Sequence, residues 1–107
     1  MKILAIFKVK EGVPMQQVLP LIAEEERLAW QKYLADQLRE TYMTSQPGVV
    51  IDVFEYESVA ALAHDMQALP LMRAGLLDAT YYDLLPFKNW ESLFAEENRT
   101  PEARRAE

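Results

Sequence analysis

The sequence predicts an α+β fold: a four-stranded antiparallel sheet with two helices on one of its faces. Three observations predict it. Four stretches rich in β-branched and aromatic residues and two stretches of helical periodicity follow one another in the order β-α-β-β-α-β. The two middle strands are separated by a tight Pro-Gly turn, which makes them a hairpin. At 107 residues the chain has the length of one domain.

The elements follow in order. Ile3 to Val9 reads as a strand and breaks at Glu11-Gly12. Pro14 suits a first helical turn. A long helix is expected from Met15 to Ala35, about 30 Å at 1.5 Å per residue. Its apolar stripe is expected to be Met15, Val18, Leu19, Ile22, Ala29, Trp30 and Tyr33, with Glu24 and Arg27 paired on the solvated side. Pro20 marks a kink or the start of the regular helix. Pro14, Leu21 and Leu28 repeat every seven residues along the outer side, which suggests another contact. Leu38 to Thr44 is the second strand, Ser45-Gln46-Pro47-Gly48 the turn, and Val49 to Tyr56 the third strand. Ser58 is placed to cap a second helix running to Ala68, with Val59, Leu62, Ala63 and Met66 as its stripe. Pro70 opens a short turn to Ala74 that Gly75 closes. Ala79 to Leu85 is the fourth strand. The sum is the ferredoxin-like split βαβ arrangement over residues 1–87. Beyond it, Trp90, Leu93 and Phe94 lie on one side of a short helix, and the last thirteen residues are polar. Residues 88–107 are expected to form an arm against a partner subunit.

Composition excludes several function classes. Half the residues are apolar and 26% are charged, as in globular proteins, and the net charge of −6 argues against nucleic acid or an anionic membrane as partner. The absence of cysteine excludes disulfides, thiolate metal sites and cysteine nucleophiles. The one histidine, His64, points away from the second helix's stripe and reads as a surface residue. No ligand spacing for a metal appears, and three glycines leave no phosphate-cradling loop. No signal peptide or membrane span is read, so a cytoplasmic location is expected.

The third strand, GVVIDVF, is apolar on both faces and carries one acid, Asp52; the first strand, ILAIF, is apolar on both faces as well. Two helices cover one face only. An exposed apolar face of several hundred Å² is not expected of a monomer, so a homodimer with sheets packed face to face about a two-fold axis is expected.

From Glu25 to Phe87 the chain resembles the muconolactone isomerase-like proteins of the dimeric α+β barrel group. The resemblance lies in EERLAWQKYLADQLRETY, in VIDVFEYESVAALAHDMQALPL and in a closing strand ending LLPF. Within these stand the Phe54-x-x-Glu57-Ser58 strand exit, Ala61-Leu62 and Leu69-Pro70-Leu71. It implies a ferredoxin-like fold, a dimer or larger ring, and cofactor-free proton transfer on a small lactone. Ala35-Asp36-Gln37 stands where these proteins usually have a glycine, and Tyr42 or its neighbour where they have a tryptophan.

Glu26 falls near the middle of the first helix's stripe, with Glu24 and Glu25 at its edge or outside. A core-facing carboxylate is costly unless paired or lining a cavity, and burial raises its pKa toward that of a general base. Glu26 is therefore the candidate base; a structural ion pair with Arg39 is the plainer reading. Asp52 is the candidate second member of an acid-base pair, or else an interface hydrogen-bonding group. Alternation sends Tyr81 and Tyr82 to opposite faces, so one of them can line a pocket with Tyr42. Candidate substrate contacts are Tyr33, Tyr42, Tyr82, Arg39 and Arg73. The expected function is a small cofactor-independent isomerase-like enzyme acting on an oxygenated acid or lactone. A non-catalytic binding or assembly protein and a cofactor-free monooxygenase-like barrel are the alternatives.

Overall fold

The structure, a computed structural model, describes residues 1–95. The elements are β1 (Lys2–Val9), α1 (Met15–Leu34), β2 (Leu38–Met43), β3 (Val49–Glu55), α2 (Val59–Met66), α3 (Pro70–Arg73) and β4 (Leu77–Asp83), followed by a 3₁₀ helix, Lys88–Phe94. The strands form one antiparallel sheet in the order β2-β3-β1-β4. This is the expected ferredoxin-like α+β arrangement. The polar segment after Ala95, expected to reach a partner, lies outside the described residues.

Local chemistry explains most boundaries. The Ser58 hydroxyl accepts from the Ala61 N–H at 3.0 Å and caps α2. Gly75, at φ +73, ends α3: its N–H donates to the Met72 carbonyl and the Leu76 N–H to the Leu71 carbonyl. The same double bond ends α1. There the left-handed residue is Asp36, at φ +62, with Asp36 N–H donating to Tyr33 O and Gln37 N–H to Lys32 O. Asp36 thus performs in a strained conformation the task for which glycine is preferred. Helix α1 runs unbroken through Pro20. β4 begins two residues earlier than expected and ends at Asp83. Its register against β1, from Leu77↔Val9 to Asp83↔Ile3, sets both ends.

Register also assigns the two faces. Ile3, Ala5 and Phe7 of β1 point to the helices, and their partners on β3 are Phe54, Asp52 and Val50. Ile3, Ala5, Phe7 and Phe54 join Leu38, Tyr56, Leu62, Met66 and Leu69 in the main core. A smaller cluster, Val18, Leu71 and Leu76, lies under the first half of α1. The other face carries Leu4, Ile6, Ile51 and Val53, with Tyr42 and Tyr82 at its two sides. Helix α1 packs toward the β2 side of the sheet and α2 toward β4.

The expected stripe of α1 needs correction. Val18 and Glu25 are its buried residues, with Leu21, Ile22, Leu28, Ala29 and Lys32 half-buried. Met15, Leu19, Trp30 and Tyr33 are exposed. The helix is turned by about one residue from the orientation that would bury its largest side chains. Glu25 and Lys32 are tolerated inward because each finds a partner. Among the described residues no helix is long and apolar enough to cross a membrane.

Candidate functional site

A cavity of about 480 Å³ lies between α1 and the helix-facing side of the sheet. Its walls are apolar, made by residues such as Phe7, Val18, Ile22 and Val50. Glu25, Glu26, Asp52, Thr41 and Lys32 supply its main polar groups. The cavity opens between α1 and the edge strand β2, where Met15, Leu19, Trp30 and Tyr33 are exposed along the helix.

Asp52 projects inward because β3 is buried on this side and its register sets Asp52 opposite Ala5 and Thr41. Alanine on one flank leaves space beside the carboxyl. Its Oδ1 is buried and has no hydrogen-bond partner among the described residues. Burial pushes the Asp52 carboxyl up to about 6; the Glu26 charge adds to the rise, and the Thr41 hydroxyl opposes it. A group with that pKa is present in both protonation states near neutrality, as a proton shuttle requires.

Glu25 is the most buried carboxylate of α1, at 8% exposure. Its Oε1 accepts from the Leu71 N–H at 2.9 Å, so it ties α1 to the start of α3. Burial raises its pKa, the Leu71 N–H opposes the rise, and the Glu26 and Asp52 charges add to it. Glu26 lies one residue further round the helix. It is exposed, yet it also lines the cavity. Glu26 and Asp52 therefore share one cavity. The expectation that Glu26 is the buried carboxylate and Glu25 the peripheral one is reversed, because helix rotation is set by packing on the sheet.

Lys32 was missed in the sequence. It is half-buried and lines the same cavity. Its Nζ donates to the Tyr56 hydroxyl at 3.0 Å and lies 3.8 Å from Asp65, while Tyr56 donates to Asp65 at 2.9 Å. Burial, and then the Asp65 bond, raise the Tyr56 pKa. A lysine amid apolar neighbours seven residues after Glu25 was the available signal.

The other candidates divide. Tyr33 stands at the mouth, stacked on Trp30 with ring centroids 5.3 Å apart. Tyr42 and Tyr82 do share a face, but it is the helix-free one, so neither reaches the cavity; Tyr42 donates to Glu40 at 2.6 Å. Tyr81 points toward the helices, outside this cavity, with its hydroxyl unpartnered among the described residues. Arg39 donates from Nε to the Asp36 carbonyl at 2.7 Å and makes no ion pair with Glu26. Arg73 is exposed on α3 and does not line the cavity. Among the described residues no group of three His, Asp or Glu is placed to hold a metal ion.

No family model matches the chain, and no curated protein matches it in sequence. Solved structures do match in fold. Muconolactone isomerase superposes with a TM-score of 0.68 at 24% identity, over 83% of this chain and 93% of that one. A 5-chloro-2-hydroxyhydroquinone dehydrochlorinase from Burkholderia phenoliruptrix, in complex with 2,5-dihydroxybenzoquinone, superposes with a TM-score of 0.58 at 17% identity, over 79% and 94%. The chain shares the ferredoxin-like α+β fold of these structures.

Proposed function

We propose that the protein is a small cofactor-independent enzyme of the muconolactone isomerase type, moving a proton on a small oxygenated acid or lactone. The observation that carries this reading is the Asp52 carboxyl. It is held near a pKa of 6 with a free oxygen, inside an apolar-walled cavity that also contains Glu26. A carboxylate takes a proton from the carbon next to a carbonyl. The resulting enolate is reprotonated at another carbon by the protonated form of the same or the second carboxyl. The carbon acid loses one proton and regains one, so the step is redox-neutral. Apolar walls strengthen every charge interaction within. The likeness in fold to muconolactone isomerase supports lactones as the first substrates to try.

The test is muconolactone in D₂O, followed by proton NMR. The expected result is isomerisation with deuterium entering the substrate carbon, abolished in Asp52→Asn and lowered at least tenfold in Glu26→Gln. Full turnover by Asp52→Asn removes Asp52 from the chemistry. Ligand binding without exchange in the native protein makes it a binding module.

The same reading includes a homodimer. Leu4, Ile6 and Ile51 form an apolar centre on the helix-free face, between Tyr42 and Tyr82, each about half exposed. The same face of a second copy is its simplest cover. Light scattering at micromolar concentration should give twice the chain mass; a monomer ends this part of the reading.

A further inference from the structure

Among the described residues, the stretch from Leu85 to Phe94 buries none of its large apolar side chains on its own subunit. Leu85, Phe87, Trp90, Leu93 and Phe94 are all well exposed, Trp90 at 67%, and the 3₁₀ helix buries none of its residues. Phe87 and Trp90 meet edge to face at 5.5 Å, so the arm is preorganised around an aromatic pair. A second unpartnered apolar surface exists on the same molecule. It is the cavity mouth, where the stacked Trp30 and Tyr33 stand, 59% and 48% exposed.

We propose that the two surfaces belong together across a dimer: the Phe87–Phe94 arm of one copy seats on Trp30 and Tyr33 of the other and closes its cavity. Symmetry supplies the first argument. The proposed two-fold axis runs parallel to the strands, between face-packed sheets, and lays the β4 edge of one copy beneath the β2 edge of the other. It preserves height along the strands. The arm leaves β4 after Asp83, which pairs with Ile3; Ile3 pairs with Phe54, and Phe54 with Leu38. The arm therefore departs level with Leu38, where α1 delivers the chain into β2. Trp30 and Tyr33 lie in the last turns of α1, at that same end.

Area supplies the second. Four strands of about seven residues present a face about 19 Å by 23 Å, roughly 440 Å². A stable interface needs about 800 Å² per partner. The flat area of the sheet face lies below that figure, and an arm bearing five large apolar side chains enlarges the surface that a second copy can bury. The site is thereby incomplete in one subunit, since the partner's arm is what separates Asp52 and Glu26 from bulk water. This rests on the sheet-to-sheet dimer but not on the proton-transfer chemistry.

The chain contains no cysteine, so single cysteines report cleanly. Tyr33→Cys and Leu93→Cys chains, co-expressed and treated with a short bismaleimide, are expected to give a covalent species of two chains. A Trp90→Ala chain is expected to weaken the dimer at least tenfold in a dilution series by light scattering. A cross-link confined within the doubly substituted single chain would mean that the arm folds back on its own α1, and overturns the proposal. A dimer with no Tyr33–Leu93 link in either format overturns the arm while leaving the sheet packing intact. A monomer overturns both, whatever the activity measured.

Discussion

Asp52→Asn should stabilise the protein, and by an amount that depends on pH. The folded chain holds the Asp52 carboxyl near 6, against an ordinary 3.8. The folded state therefore binds this proton more tightly than the unfolded chain does. The cost of ionising Asp52 is nearly absent below pH 3.8, grows as pH rises through that value, and is complete above pH 6. Its full size is about 3 kcal/mol, at about 1.4 kcal/mol per pH unit. At pH 4 only about 0.5 kcal/mol has appeared by the same relation. Asparagine has nearly the same shape and no charge, so it removes the cost without opening a cavity. The stability gain of Asp52→Asn should thus rise from about 0.5 kcal/mol at pH 4 to about 3 kcal/mol at pH 8. For a domain of this size that corresponds to a difference in Tm gain of roughly 10 °C between the two pH values. Urea unfolding of both proteins across pH 4–8 measures it directly. A gain that does not change with pH, or a loss that grows toward pH 8, would refute the placement of a desolvated carboxyl at this site. It would also remove the acid-base argument built on it.

Other substitutions probe the supports of the site. Glu25→Ala leaves the Leu71 N–H without its partner and should cost about 1–3 kcal/mol, whereas Glu25→Gln keeps an acceptor and should cost far less at pH 7; urea midpoints of the two distinguish a positioning bond from bulk packing. Ser58→Ala removes the α2 cap and should lower stability by about 1 kcal/mol, read as a fall in Tm with an unchanged denaturant slope. Asp36→Gly places glycine at φ +62 and should raise stability by about 1 kcal/mol. A fall in Tm for that variant would show that Asp36 does more at the helix end than tolerate its conformation.

The sequence determined what short-range chemistry controls. Element order, the Ser58 cap, the Gly75 stop and the Pro-Gly turn are each written in a few adjacent residues, and each is present. Apolar character on both faces of β1 and β3 was likewise readable, because strand alternation is strict. The absence of glycine at Asp36 was visible too, though not that an aspartate would take the left-handed position in its stead. Tertiary packing decided the rest. Neighbouring residues on a helix differ by 100°, so the small rotation with which α1 settles on the sheet exchanged the roles of Glu25 and Glu26 and sent Trp30 and Tyr33 outward. No local signal sets that rotation; it follows from which partners the sheet and α3 offer. Lys32 turns inward only because Tyr56 and Asp65 meet it, and Asp52 enters the cavity only because strand register places it opposite Ala5 on the helix side. Which carboxyls share a cavity is a consequence of contacts between residues far apart in the chain, and those contacts exist only after the sheet has formed.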